Sequence, residues 1–175
     1  LNSQLAAFLV KHYQDENLNT ILHQLIQKEL EQGQRTCGII EECVKITNTN
    51  EITNTHIGHD CEIKGASRLF NTTILSSPKG NVFIGTGVIC ENSIIGDGST
   101  LINSVKLQDC FVGETCHLSN GFTASASLFF ANSQLSNGEA CAAFCGPFTA
   151  SHHKSSLLIG GMFSFYNAGS ATNFS

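Results

Sequence analysis

A short phrase recurs three times at intervals of seventeen residues, and this period constrains the fold more than any other feature of the chain. The phrases occupy residues 101–104, 118–121 and 135–138, each beginning with Leu and carrying Asn at its third position. A fixed short period indicates that each repeat is one turn of a solenoid, which buries its apolar side only by stacking on its neighbours. We therefore expect the chain to wind as a repeating coil.

Three columns of mainly aliphatic residues appear when this register is extended along the chain. Within one turn the columns are spaced by six, six and five residues, which is a hexapeptide pattern. The pattern predicts an all-β solenoid with 17–18 residues per coil, shaped as a three-sided prism with one short parallel strand per face. The predicted inward columns are Ile40, Ile57, Ile84, Leu101, Leu118 and Leu135; Ile46, Ile63, Cys90, Leu107, Ala124 and Cys141; and Ile52, Leu69, Ile95, Val112 and Phe129.

The corners of such a prism need tight bends. Gly lacks a Cβ, and Asn bonds its own backbone, so both tolerate the left-handed conformation of a tight corner. We therefore predict a corner ladder of Asn103, Asn120 and Asn137. The register has one interruption: Ile74 occupies the next place of the first column, yet the pattern resumes at Ile84, ten residues later. An outward loop at residues 76–82 is expected to absorb the difference.

The repeats from Ile40 to about Phe148 resemble the left-handed parallel β-helix of hexapeptide-repeat acyltransferases and of sugar-nucleotide enzymes with the same module. The left-handed winding is implied by this resemblance, because crossovers between parallel strands are otherwise right-handed in nearly all proteins. Longer runs are similar to an uncharacterised bacterial family that is related by label to UDP-N-acetylglucosamine pyrophosphorylase. These runs are SLFFAN at 127–132, GEAC at 138–141, GPFT at 146–149, HHKS at 152–155 and GMFS at 161–164.

The first 34 residues differ in kind from the repeats. Apolar residues at helical spacing predict two amphipathic α-helices, separated by Asp15, Glu16 and Asn17. These helices are expected to pack along a β-helix face or in a trimer seam. We predict a helical segment at 1–34 and a left-handed β-helix at 35–175. In the resembling family the sequence continues on both sides, so the β-helix is expected to be truncated at both ends here.

Composition excludes several function classes. The net charge is −5, only 13% of residues are charged, and no basic stripe is present, which argues against nucleic-acid binding. No run of eighteen apolar residues occurs, which argues against a membrane span. The eight cysteines form no CxxC pair and follow no secretory signal, so we expect no metal, reduced thiols and a cytoplasmic location.

Histidines are the candidates for chemistry. Acyl transfer needs a base that removes a proton from an attacking hydroxyl or amine near pH 7, and neutral imidazole suits this task. The predicted catalytic residues are His152, where the first column would place an aliphatic residue, His153, which follows it, and His117, which points outward beside Leu118. The alternative is that the His pair lies in a polar loop and that His117 is an interface hydrogen bonder.

Three further residues are predicted to bind substrate. Lys154 follows the His pair, and Asn120 lies near His117. Asn167 belongs to the small, polar stretch at 164–173, which either lines a sugar or phosphate pocket or is an ordinary coil. The resemblance implies a homotrimer with clefts between subunits, a catalytic His projecting from one coil, and coenzyme A along a neighbouring coil, with acetyl coenzyme A as the acyl donor.

Two functions of different class remain open. The first is an acyltransferase acting on a sugar or nucleotide sugar. The second is a non-catalytic, trimerising β-helix module of a larger sugar-nucleotide-related protein. The glycine-rich motif of nucleotidyltransferases is absent from these 175 residues, so they are not expected to have pyrophosphorylase activity. The fold alone does not decide between the two functions.

Overall fold

The structure, a computed structural model, describes residues 2–33 and 37–174. The chain forms two compact units, Leu1–Cys37 and Gly38–Ser175. The predicted boundary between residues 34 and 35 lies outside the described residues.

The first unit contains two helices, α1 (Ser3–Lys11) and α2 (Glu16–Gly33), as the apolar spacing predicts. Each begins after a capping side chain: Asn2 Oδ1 accepts a hydrogen bond from the Leu5 N–H at 2.8 Å, and Asp15 Oδ1 accepts one from the Leu18 N–H at 3.0 Å. These caps satisfy amides that have no partner inside a helix. The packing partner predicted for their apolar faces stays a prediction.

The second unit is a parallel β-solenoid of eight coils, in which each coil contributes one short strand to each of three eight-stranded sheets. The predicted fold class is confirmed, and the architecture is consistent with a left-handed β-helix. Sheet A contains β1 (Ile39–Ile40), β4 (His56–Ile57), β7 (Thr73–Ile74), β10 (Ile94–Ile95), β13 (Phe111–Val112), β16 (Leu128–Phe129), β19 (Phe144–Cys145) and β22 (Met162–Phe163).

The other two sheets follow the same order. Sheet B contains β2 (Lys45–Thr47), β5 (Glu62–Lys64), β8 (Phe83–Ile84), β11 (Thr100–Leu101), β14 (His117–Ser119), β17 (Gln134–Ser136), β20 (Ala150–Ser151) and β23 (Asn167–Ala168). Sheet C contains β3 (Ile52–Thr53), β6 (Arg68–Phe70), β9 (Ile89–Glu91), β12 (Lys106–Gln108), β15 (Thr123–Ser125), β18 (Glu139–Cys141), β21 (Leu157–Ile159) and β24 (Asn173–Phe174). We number the coils 1 to 8, name each corner by the sheets that it joins, and call the outward side of each sheet face A, face B or face C.

The predicted inward columns are correct on either side of the loop but wrong across it. Ile63 pairs with Ile84 in sheet B, whereas Ile74 pairs with Ile95 in sheet A. Ile63 and Ile84 are 21 residues apart instead of 17, so the loop inserts only four residues at one A–B corner. Every later member of the predicted first column therefore belongs to sheet B, and the other two columns change sheets in the same way.

A second departure occurs at the B–C corner of coil 6, which is one residue shorter than that of coil 5. Leu135 pairs with Ser151, and Ala124 pairs with Ala140, in both cases across 16 residues. Because these turns are one residue shorter, Ala140 and not Cys141 takes the inward position in sheet C. For the same reason Ser151, and not His152, continues the inward column of sheet B.

The corners use the left-handed backbone conformation that was predicted for them. Asn103, Asn120 and Asn137 have φ angles of 56°, 54° and 59°, and Asn103 Nδ2 donates to Asn120 Oδ1 at 3.2 Å. The step from Asn120 to Asn137 passes through Ser136 Oγ, to which both amides donate, at 3.0 and 3.3 Å. A second ladder at the C–A corner, not predicted, joins successive side chains of Asn54, Asn71, Asn92 and Asp109.

Ser151 is a defect in the core of coil 7. Its side chain is 1% exposed, and its Oγ has no hydrogen-bond partner among the described residues. A buried, unpaired hydroxyl costs roughly 1–3 kcal/mol. We expect Ser151→Ala to raise the free energy of unfolding by about 1 kcal/mol, measured by urea denaturation.

Ser133→Ala is the matched control for this prediction. Ser133 is equally buried at 0% exposure, but its Oγ donates to the Phe130 carbonyl at 2.6 Å. Its loss is expected to lower stability by about 1 kcal/mol. Equal destabilisation by both changes would contradict the assignment of an unpaired hydroxyl at Ser151.

Candidate functional site

All six residues predicted to act in function lie along sheet B or the B–C corner that follows it. His117 is in β14 and Asn167 is in β23. The other four occupy B–C corners: Asn120 follows β14, and His152, His153 and Lys154 follow β20. The structure therefore places the predicted residues along one edge of the prism, in coils 5, 7 and 8.

His117 projects outward from face B, as predicted. It is exposed, whereas the next residue, Leu118, is buried at 0% exposure. Its strand neighbours in the adjacent coils are Thr100 and Gln134. Its imidazole makes no hydrogen bond within the described residues and so has no group there to orient it.

Asn120 is occupied by the corner ladder. Its Oδ1 accepts a hydrogen bond from Asn103, and its Nδ2 donates to Ser136 Oγ at 3.0 Å. The side chain thus stabilises the corner through neighbours on both sides. Binding a substrate through the same atoms would require the ladder to open.

His152 does not take the inward place that the sequence analysis gave it, because Ser151 does. His152, His153 and Lys154 are all exposed. Their backbone is held in place: the His152 carbonyl accepts from Asn137 Nδ2 at 3.1 Å, and the His153 carbonyl accepts from Ser156 Oγ at 3.1 Å. The corner therefore presents three polar side chains on a fixed backbone.

The predicted catalytic histidines are not brought into one constellation. His117 lies in coil 5 and His152 in coil 7, so two steps between hydrogen-bonded strands separate them, about 10 Å along the axis. Asn167 lies one coil beyond His152, its strand pairing with β20. The structure thus supplies separate positions on one edge and no pair of interacting imidazoles there.

A histidine cluster that the sequence analysis did not single out lies in coils 1 and 2. His56 Nε2 is 2.7 Å from Glu41 Oε1, and His59 Nε2 is 3.0 Å from Glu41 Oε2. One carboxylate thus contacts two imidazoles. Because His56 pairs with Ile39, the outward side chain of Glu41 is its diagonal neighbour. The seventeen-residue period contained this signal, since it places residues 39–41 directly beside residues 56–58.

The cluster is partly open to solvent, and its charges favour an ionised carboxylate. The side chains of His56, His59 and Glu41 are 36%, 46% and 29% exposed. The hydrogen bond from His56 lowers the pKa of Glu41, the charges of His59 and His56 add to this effect, and desolvation opposes it. Glu41 is therefore an anion at neutral pH and orients both rings.

This arrangement suits proton transfer. When Nε2–H of His56 donates to Glu41, its Nδ1 keeps the lone pair that accepts a proton. A carboxylate on the far nitrogen also stabilises the imidazolium that forms, as in other oriented imidazole bases. Within the described residues, only His56 and His59 have such a carboxylate partner.

Thiol chemistry is not favoured by the cysteines of the core. Burial raises the pKa of Cys61 and of Cys145 to about 12 and that of Cys116 to about 11, which keeps these thiols protonated. Cys43, in contrast to the buried Cys61, is an exposed corner residue with φ 59°. No group of His, Cys, Asp and Glu side chains in 2–33 and 37–174 has the geometry of a metal site.

Face C carries a shallow groove of about 280 Å³ that none of the predicted residues lines. Its wall residues include Glu91, Lys106, Thr123, Ser125 and Glu139. Glu91 is already engaged by Arg68, whose Nη1 donates to its Oε1 at 2.8 Å. No imidazole lies in this groove, so it offers hydrogen-bonding groups but no base of the kind that acyl transfer needs.

The model of a family described as a domain of unknown function, DUF4954, matches residues 1–175. The chain belongs to this family. The sequence predicts a resemblance, over almost the whole chain, to a family that has no assigned reaction. Membership of DUF4954 agrees with this prediction. No curated protein matches the chain.

Two solved structures are similar to this DUF4954 chain at low identity. The UDP-N-acetylglucosamine acyltransferase of Francisella novicida has 16% identity over 71% of this chain and 62% of its own, with a TM-score of 0.33. A mutant of perosamine N-acetyltransferase from Caulobacter crescentus, in complex with CoA and GDP-perosamine, has 14% identity over 81% and 62%, with a TM-score of 0.29. The chain thus spans 62% of the length of each.

Across residues 2–33 and 37–174, no helix combines the length and the apolar character that a membrane crossing requires.

Proposed function

We propose that this DUF4954 protein is an acyltransferase that transfers an acyl group from acyl coenzyme A to a sugar or nucleotide sugar. The observation that carries the proposal is the 2.7 Å contact between Glu41 and His56, which is the geometry of an oriented imidazole base. The hexapeptide repeats support the same reaction class through the family that they resemble. The metal-free character of the reaction and its cytoplasmic location stay predictions.

In this proposal His56 removes the proton from the attacking hydroxyl or amine, and Glu41 orients the ring. As the acceptor oxygen or nitrogen bonds to the thioester carbonyl carbon, its proton passes to the imidazole. The proton then passes to the departing thiolate of coenzyme A. His117, His152 and His153 remain the alternative bases, with Lys154, Asn120 and Asn167 as substrate-binding residues.

The reaction is tested by incubating the intact protein with acetyl coenzyme A and a panel of sugars and nucleotide sugars. Mass spectrometry should detect one acceptor that gains an acetyl group, with stoichiometric release of free coenzyme A. Absence of product with every acceptor would contradict the enzyme proposal and favour the non-catalytic alternative.

We also propose that three copies of the chain assemble through face A. Such a trimer is compatible with the enzyme and with the alternative of a non-catalytic trimerising module. The supporting observation is an apolar row on the outer side of sheet A over five successive coils, about 19 Å long. Two of its members are exposed, two are half-buried, and one, Phe144, is only 8% exposed. Monomeric proteins rarely expose large contiguous apolar patches. The row consists of Ile94, Phe111, Leu128, Phe144 and Met162.

His56 lies in the same outward row of sheet A, beyond Thr73. In an assembly through face A, His56 would therefore face the neighbouring subunit, where the resemblance implies the clefts. The B–C corner that carries His152 is the corner opposite face A. This relation is a second reason to favour His56 as the base.

The trimer is tested by the double variant Ile94→Glu and Met162→Glu, whose side chains are 43% and 47% exposed in the single chain. Burying two unpaired charges per subunit is costly, so we expect the trimer mass to fall to that of a monomer in sedimentation velocity. A control with Gln108→Glu and Gln134→Glu adds the same charge on faces C and B and should remain trimeric. A wild-type monomer at micromolar concentration would contradict the assembly.

A further inference from the structure

Two phenylalanines occupy A–B corners where other coils use small or polar residues. The corner residue is Asp60 in coil 2, Thr115 in coil 5 and Asn132 in coil 6, but Phe148 in coil 7 and Phe165 in coil 8. Both phenylalanines have left-handed φ angles, of 61° and 52°. A bulky residue in this conformation is an outlier, and strain of this kind is retained where surrounding structure or function requires it.

The two rings form an exposed aromatic shelf. Their centroids are 6.1 Å apart and their planes differ by 16°. Phe148 is 59% exposed and Phe165 is 73% exposed. Burial therefore does not explain why these corners carry aromatic rings, whereas Phe129, in sheet A, is completely buried. We call Phe148 and Phe165 the aromatic shelf.

The same coil carries the polar corner already described. Strand β20 begins two residues after Phe148, and His152, His153 and Lys154 follow it directly. The only side chain that β20 directs outward is the small Ala150, because Ser151 points into the core. In coil 7, the strip of face B between the shelf and this polar corner therefore carries only a methyl group, flanked by Gln134 and Asn167 in the adjacent coils.

Charge distinguishes this end of the solenoid from the rest of the chain. The net charge of the protein is −5, yet no Asp or Glu occurs after Glu139, and Lys154 is the only Lys or Arg in residues 140–175. Glu139 lies in the adjacent coil, where its strand pairs with β21, so Lys154 supplies the cation of this corner beside one carboxylate. Lysine is a common phosphate ligand. Two histidines beside it add donors to the same corner.

We propose that face B of coils 7 and 8 binds a nucleotide, with the base on the aromatic shelf and the phosphates at the corner of His152, His153 and Lys154. Aromatic side chains stack on any nucleobase, because every base has a π face. The choice of a nucleotide as the ligand comes from the proposed acyl transfer, so this inference rests on the proposed function. The nucleotide is either coenzyme A or the nucleotide of a sugar donor or acceptor.

The proposal assigns different interactions to the two ends of the strip. The shelf recognises the ring, so a nucleoside alone should bind weakly. The polar corner recognises the diphosphate, so its contribution should fall as ionic strength rises. Asn167, on the outward side of β23 and exposed, lies beside this strip and is available to hydrogen bond to the sugar.

Isothermal titration calorimetry of the intact protein tests the site with coenzyme A, UDP, adenosine and inorganic pyrophosphate. We expect at least one of the two nucleotides to bind more tightly than pyrophosphate and adenosine. Preference for coenzyme A or for UDP identifies the source of the base, and either preference supports the proposal. Binding of pyrophosphate as tightly as both nucleotides would overturn the role of the shelf.

Variants locate the binding energy. Phe148→Asn and Phe165→Asn place at these corners the residue that coil 6 already uses, so folding is expected to be retained or improved. Loss of stacking should weaken nucleotide binding roughly 5- to 150-fold. Phe83→Leu, on face B in coil 3, is the matched control and should bind like the wild type. Unchanged affinity in both Asn variants would overturn the proposal.

Lys154→Ala tests the phosphate end against Lys106→Ala, which removes the same charge from face C. Only Lys154→Ala should weaken nucleotide binding, and the effect should shrink in high salt. Equal effects of the two lysine variants would overturn the proposal.

Failure of this site is distinguishable from failure of the proposed reaction. Nucleotide binding without turnover supports the site and contradicts the reaction. Turnover by the Asn variants with an unchanged KM for coenzyme A and for the acceptor supports the reaction and contradicts the site.

Discussion

Phe129→Ala is expected to lower the free energy of unfolding by about 3–5 kcal/mol, the largest effect of any single side chain considered. Phe129 is 0% exposed, and its ring contacts Phe122 edge to face with centroids 5.7 Å apart. Val112 and Cys145 flank it in the inner column of sheet A. The substitution opens a cavity, and the three surrounding sheets are too rigid to close it.

Urea denaturation followed by far-UV circular dichroism measures this effect. In a solenoid, stability is close to a sum of local terms, so coils 5 to 7 should melt first and the transition should broaden. Phe165→Ala, at a site 73% exposed, is the control for loss of a phenyl ring from the surface. A midpoint that shifts equally in the two variants would contradict the placement of Phe129 in the core.

His56→Asn is expected to reduce kcat of the proposed acyl transfer by about 10²–10⁴-fold, the usual contribution of a general base. The variant keeps a polar side chain on face A but has no group that accepts the proton. Because the side chain is on the surface of the prism, stability should change by less than about 1 kcal/mol. Initial rates with acetyl coenzyme A and the accepted sugar measure the effect.

Two further variants separate the role of the imidazole from that of its neighbours. Glu41→Gln removes the charge that orients His56 and stabilises the imidazolium, so kcat should fall with KM little changed. His59→Asn leaves the contact between His56 and Glu41 intact and should retain most activity. A carboxylate that is merely structural would leave kcat of the folded enzyme unchanged in Glu41→Gln.

The same assay decides between His56 and the three histidines that the sequence singled out. Retention of full turnover by His56→Asn, together with loss of turnover in His117→Asn, His152→Asn or His153→Asn, would place the base on the sheet B edge instead. Retention of turnover in all four variants would contradict a histidine base of any kind.

The site was less predictable than the fold because its side chains come from different coils and meet only when those coils stack. The positions of His117 and Asn120 followed from the period, since residues 101–138 repeat without a gap. His152 was misplaced because the B–C corner of coil 6 is one residue shorter, which moved Ser151 into the column. Glu41 and His56 were both visible in the sequence, but they meet only when residue 41 of one coil is aligned with residue 58 of the next.

The chain by itself determined the period, the three faces and the left-handed corners, because these are local properties: an aliphatic residue every six positions and an Asn or Gly after each strand satisfy one coil at a time. Only the tertiary structure decided which column continues past the loop at residues 76–82, because pairing with the preceding coil and not spacing along the chain sets that register. It also decided that Glu41 contacts two imidazoles and that Phe148 stacks on Phe165. Side chains in successive coils become neighbours only when the strands that carry them hydrogen bond.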